Sequence, residues 1–116
     1  MAWQTHEIER YAVSLMARDP GFTHKIAYIN LFWDGAQRAL LIFYTDDSHT
    51  NEPNVALDKP GGGKAYTGRF DFSRYAAMID LLRNEKPCFF HWDEVTKRIM
   101  VGTGQEPVGE GERLGG

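Results

Sequence analysis

The sequence predicts an α+β domain, an antiparallel sheet of about five strands with two helices packed against it in the order αβββαββ. Three observations carry that expectation. An Asp34-Gly35 dipeptide separates two β-rich runs; CFFHWD (88–93) and KRIMVG (97–102) flank a second short connection; and segments 5–18 and 73–86 repeat apolar residues at helical spacing.

In chain order, THEIERYAVSLMAR (5–18) sets Ile8, Tyr11, Ala12 and Leu15 three and four residues apart, with Thr5 as N-cap and Asp19-Pro20-Gly21 as the stop, which predicts a first helix. KIAYINLFW (25–33) and AQRALLIFY (36–44) follow, and Asp34-Gly35 between them tolerates the positive φ of a two-residue hairpin turn. With Trp33 opposite Ala36, one face of this ribbon carries Ala27, Ile29, Leu31, Trp33, Leu40 and Ile42. The other carries Ile26, Tyr28, Asn30, Phe32, Gln37, Leu41 and Phe43. Neither face suits water, so something beyond one helical layer must cover the second.

Residues 46–63, DDSHTNEPNVALDKPGGG, are turn-formers without periodicity and read as a long loop. YTGRFDF (66–72) alternates as a strand wet on one face. SRYAAMIDLLRNEK (73–86) places Tyr75, Met78, Ile79 and Leu82 on one stripe, with Ser73 as N-cap and Pro87 as the end, and predicts a second helix. In the last hairpin Phe90 and Trp92 share a face with Val101 and Ile99, while His91, Asp93, Arg98 and Met100 take the other and Asp93 faces Arg98 as a cross-strand ion pair. The expected organisation is one domain over 1–104 and a flexible glycine-rich tail over 105–116.

The totals narrow the function classes. With 42% hydrophobic and 25% charged residues the chain is ordinary globular material. The longest apolar run, ALLIFY (39–44), is too short to span a membrane, and the amino-terminal residues MAWQTHEIERY are too polar for an export signal. A lone cysteine, Cys88, forms no internal bridge, so a cytoplasmic location is expected. Net charge is −3, and the most basic stretch, 59–98, holds 8 basic and 5 acidic residues, far from the dense stripe of a nucleic-acid binder.

Several clusters invite a chemical reading and each has a plainer one. His91 with Asp93 resembles a base and its orienter, but both lie two residues apart on one strand with no marked nucleophile. Cys88 is three residues from His91 along an extended chain, roughly 10 Å by strand rise, which precludes direct activation. Asp46, Asp47, Ser48 and His49 offer ligand atoms at the mouth of the long loop, yet match no metal-ligand spacing and serve turn chemistry as well. His6-Glu7 begins a zinc-protease signature that fails at Arg10. Lys59-Pro-Gly-Gly-Gly-Lys64 sets glycines between two cations, but no P-loop spacing or following helix supports a phosphate cradle beyond looser anion binding. The carboxyl-terminal RLGG (113–116) resembles the end of ubiquitin-like carrier proteins, and implies a flexible tail presented to an activating enzyme; the predicted element order departs from the β-grasp order of those carriers.

From these residues the expected function is a small non-catalytic binding or adaptor domain, self-associating or binding a protein partner, with a small hydrophobic ligand as a further occupant. The expected binding residues are Tyr28, Phe32, Phe43, His49 and His91, with no catalytic residue, metal or cofactor. Two other classes stand beside it: a small hydrolase or metal-dependent enzyme built on Asp46, Asp47, His49 or His91, and a diglycine-tailed carrier.

Overall fold

The computed structural model describes residues 3–16, 25–45 and 53–104. These form eight strands and one helix: β1 (Trp3–Ile8), β2 (Arg10–Leu15), β3 (Lys25–Trp33), β4 (Ala36–Tyr44), β5 (Val55–Asp58), β6 (Lys64–Asp71), a 3-10 turn (Phe72–Arg74) leading into α1 (Tyr75–Asn84), β7 (Cys88–Asp93) and β8 (Arg98–Thr103). The strands make two sheets, one ordered β2-β3-β4-β6-β5 and one ordered β1-β7-β8. This corrects the expected single five-stranded sheet with two helices.

The first expected helix is two strands. Gln4, His6 and Ile8 of β1 pair with Trp92, Phe90 and Cys88, whereas Tyr11, Val13 and Leu15 of β2 pair with Leu31, Ile29 and Ala27. Residues on the core side of the sheets are therefore even-numbered before Glu9 and odd-numbered after it, although Val13 and Leu15 extend past the core and stay exposed. That phase break lets the chain leave one sheet for the other, and it also mimics a helical repeat. Glu9 donates its amide to Phe32 O at 2.8 Å, so pairing with β3 begins at the switch. The second expected helix is present as α1, entered through the 3-10 turn rather than from a Ser73 cap, with Met78 and Leu82 buried.

The Asp34-Gly35 hairpin forms, with φ of 52° and 74° at the two turn residues. Its register differs from the expectation one residue beyond the turn. Trp33 opposes Ala36 and Phe32 opposes Gln37, but Leu31 opposes Ala39, leaving Arg38 as an extra residue in a β-bulge. The bulge moves every later β4 residue to the other side. Ala39, Leu41 and Phe43, not Leu40 and Ile42, join Ala27, Ile29, Leu31 and Trp33 in the core.

β5 lies inside the segment read as loop, pairing antiparallel with β6, and β6 in turn runs parallel to β4 from Ala39↔Tyr66 to Tyr44↔Asp71. The sheet is thus not wholly antiparallel. The three-stranded sheet packs Phe90 and Trp92 against this five-stranded face, with ring centroids 5.1 Å apart for Trp33 and Phe90 and 5.5 Å for Tyr66 and Trp92. α1 extends the cover, Tyr75 meeting Phe43 edge to face at 5.3 Å. Each fully buried aromatic contributes about 2–3 kcal/mol of apolar transfer, so this cluster is what joins the two sheets.

Candidate functional site

The expected binding residues do not converge. Tyr28 and Phe32 lie half-buried on the outer face of the five-stranded sheet, the side turned away from α1 and the second sheet. Phe43 lies on the opposite, inner face with 0% exposure, stacked on Phe70 at 5.3 Å, because the Arg38 bulge reversed it; it cannot touch a partner. His91 lies on the outer face of the other sheet, across the core from Tyr28. Its Nδ1 is 2.9 Å from Thr5 Oγ1, and Trp3 meets its ring edge to face at 6.3 Å. His49, Asp46, Asp47 and Ser48 fall outside the described residues, as does the tail 105–116. Among the described residues no three histidine, cysteine, aspartate or glutamate side chains are placed to hold a metal.

Two further expectations resolve into local structure. Asp93 does oppose Arg98 in register, but its carboxylate turns into its own hairpin, accepting from Val95 N at 3.0 Å and Thr96 Oγ1 at 2.8 Å. The Thr96 bond holds the wholly buried carboxyl below its ordinary pKa against the opposing effect of desolvation. Cys88 closes the end of α1: its single S–H is shared between Leu81 O and Glu85 O, with Sγ 3.4 and 3.3 Å away, and burial, with Glu85 adding, pushes its pKa up. A buried, protonated thiol of this kind is a packing group.

The outer face of the five-stranded sheet carries an apolar strip on β3 and β4, which β6 bounds with the polar side chains of Thr67 and Arg69. Tyr28 and Phe32 on β3 stand beside Leu40 on β4, with Ile42 on the same side but only 6% exposed, small Ala12 and Ser14 on the β2 side, and Leu57, 65% exposed, on β5 beyond β6. Arg10 places its guanidinium 4.6 Å over the Phe32 ring, and the central polar pair satisfies itself, Gln37 Nε2 donating to Asn30 Oδ1 at 2.8 Å.

A second feature was signalled in the sequence solely by the Lys59–Lys64 glycine run. At one end of the sheets the β3–β4 turn, the β5–β6 turn and β1 surround a cleft of about 440 Å³ lined by Gln4, His6, Trp33, Asp34, Arg38, Gly61, Gly62, Gly63, Lys64 and Tyr66. His6 stacks on Trp33 with centroids 4.9 Å apart and planes 10° from parallel. Burial lowers the imidazole pKa, Asp34 opposes and Arg38 adds to the lowering, so the ring is neutral at pH 7. Tyr66 donates to Gln4 Oε1 at 3.2 Å and burial raises its phenol pKa. No family model matches the chain, and no curated protein or solved structure matches it. No described helix is long and apolar enough to cross a membrane.

Proposed function

We propose that this chain is a non-catalytic binding domain whose working surface is the outer face of the five-stranded sheet, with a second copy of the chain as its first partner. One observation carries the reading: Tyr28, Phe32 and Leu40 form a half-buried apolar strip on a face that neither α1 nor the second sheet packs against. Five strands spaced by about 4.8 Å and roughly 25 Å long offer about 500 Å² per subunit. A face-to-face pair would then bury roughly 1,000 Å², at the lower end of specific interfaces, so the association is weak and concentration-dependent. Arg10 beside Phe32 places a cation next to the strip, which suits a carboxylate on the facing surface.

Light scattering over a rising concentration series tests this. A dimer that Phe32→Glu abolishes without loss of fold supports the assignment; a strictly monomeric chain at millimolar concentration removes self-association from it. The diglycine-carrier reading and the Asp46, Asp47 and His49 of the enzyme reading draw on residues outside the described ones, His91 is engaged with Thr5 and Trp3, and no observation favours either reading.

A further inference from the structure

We infer that the cleft between the two turns is a binding site for the anionic head of a small molecule, a carboxylate or phosphoryl group, with Arg38 as its anchor. The site is separate from the outer sheet face. Its size falls in the range of small-ligand pockets, and it lies where the ends of the two sheets meet.

The cation is placed by the fold. Arg38 is the extra residue of the β4 bulge, and bulges re-aim a side chain out of the alternation of its strand. Its guanidinium lies on the cleft lining and, among the described residues, hydrogen-bonds to two carbonyls, Nε donating to Trp33 O at 3.3 Å and Nη1 to Gly62 O at 3.4 Å, both long bonds. Among the described residues it has no carboxylate partner, so its planar fork retains donors for one. Lys64 stands on the rim, but its ammonium is already bonded to Asp58 at 2.8 Å. Asp34 is the opposing charge on the lining. One anionic group, rather than a polyanion, is what this balance accepts.

The glycine run supplies the other wall. Gly61, Gly62 and Gly63 all have positive φ, at 91°, 107° and 78°. A Cβ on Gly63 would sit 2.7 Å from Arg38 Nη1, so glycine there leaves the guanidinium its place. A Cβ on Gly61 or Gly62 would meet nothing within 4 Å, so their backbone is open to a ligand. The Gly62 amide is bonded to Lys59 O at 3.0 Å, and the amides of Gly61 and Gly63 have no such bond among the described residues. Backbone donors beside an arginine form the usual receptor for an oxyanion. The neutral imidazole of His6 stacked on Trp33 adds a polar ring edge to the same lining.

Titration of the full chain with inorganic phosphate and with malonate, each at ionic strength matched by sodium chloride and followed by amide chemical shifts, tests the assignment. Saturable shifts concentrated at Gly61–Lys64 and the Arg38 side chain are expected. A response to phosphate alone identifies a phosphoryl head, one to malonate alone a carboxylate, and one to both a site for either. Arg38→Gln weakens the responding anion at least tenfold, while Arg83→Gln on α1 leaves it unchanged. Shifts no larger than those with chloride, shifts scattered over surface lysines, or equal affinity in Arg38→Gln overturn the proposal. If Arg38→Gln does not fold, the location of the shifts in the parent chain decides alone.

Discussion

Truncating Phe43 and Leu40 separately tests the bulge on which both surfaces depend. Adjacent register schemes assign these two β4 residues to opposite sides, and the structure buries Phe43 completely while Leu40 stays half-buried on the outer face. Phe43 stacks on Phe70 and meets Tyr75 edge to face, both at 5.3 Å. A core Phe→Ala change costs about 3–5 kcal/mol, and two ring pairs place Phe43→Ala near 4 kcal/mol. Leu40→Ala, losing half of a side-chain burial, costs about 1 kcal/mol. For a urea dependence of about 2 kcal/mol per molar, the unfolding midpoints fall by about 2 M and about 0.5 M. Indole fluorescence follows the transition, since Trp33 and Trp92 are both buried. The milder Phe43→Leu, at about 1–2 kcal/mol, keeps the comparison readable if the alanine variant does not fold. Equal losses, or a larger one for Leu40→Ala, would refute the bulged register and with it the position of Arg38.

Gly35 has a positive φ of 74° with open space where a Cβ would go, so Gly35→Ala is strained without a clash and lowers stability by about 1 kcal/mol in the same urea assay; no loss would contradict the turn geometry. Gly68→Ala sets a Cβ 3.0 Å from the Phe70 ring, 3.2 Å from Ile99 and 3.3 Å from Leu41, overpacking the contact between sheets and costing about 1–3 kcal/mol, measured by thermal unfolding. For His6 the folded pKa lies below the free value near 6.5, so its contribution is complete above that pH and is lost as pH falls through the folded value. His6→Phe, which keeps a ring on Trp33, therefore flattens the stability loss between pH 7 and pH 5; an unchanged pH profile would sink this. Asp34 and Arg38, the charges facing His6, remain in both proteins. Cys88, buried and with its pKa raised, reacts with a disulfide reagent at neutral pH much more slowly than in the urea-unfolded chain, and stability declines as pH rises past the free thiol value near 8.5 because the unfolded chain ionises first. Rapid labelling of the native protein would contradict the burial.

The sequence by itself determined what neighbouring residues decide. Asp34-Gly35 specified its turn because positive φ at two successive positions is a local requirement. The stripe of Met78 and Leu82 specified α1, and the alternation of CFFHWD against RIMV specified the last hairpin down to Asp93 opposite Arg98. Tyr28 and Phe32 were correctly placed on one face for the same reason. Tertiary structure decided the rest. Residues 3–15 carry a pattern compatible with one helix or with two strands out of phase at Glu9, and the choice fell to the free edges of β7 and β3, distant in sequence, which satisfy backbone groups that a short helix would have to satisfy alone. One unpaired residue at Arg38 moved Phe43 inward and turned a charged side chain toward the glycine turn, since strand alternation has a period of two and a single insertion reverses everything after it. The cleft exists because β1, two hairpin turns and β6 meet at one end of the molecule, a juxtaposition that no local pattern encodes.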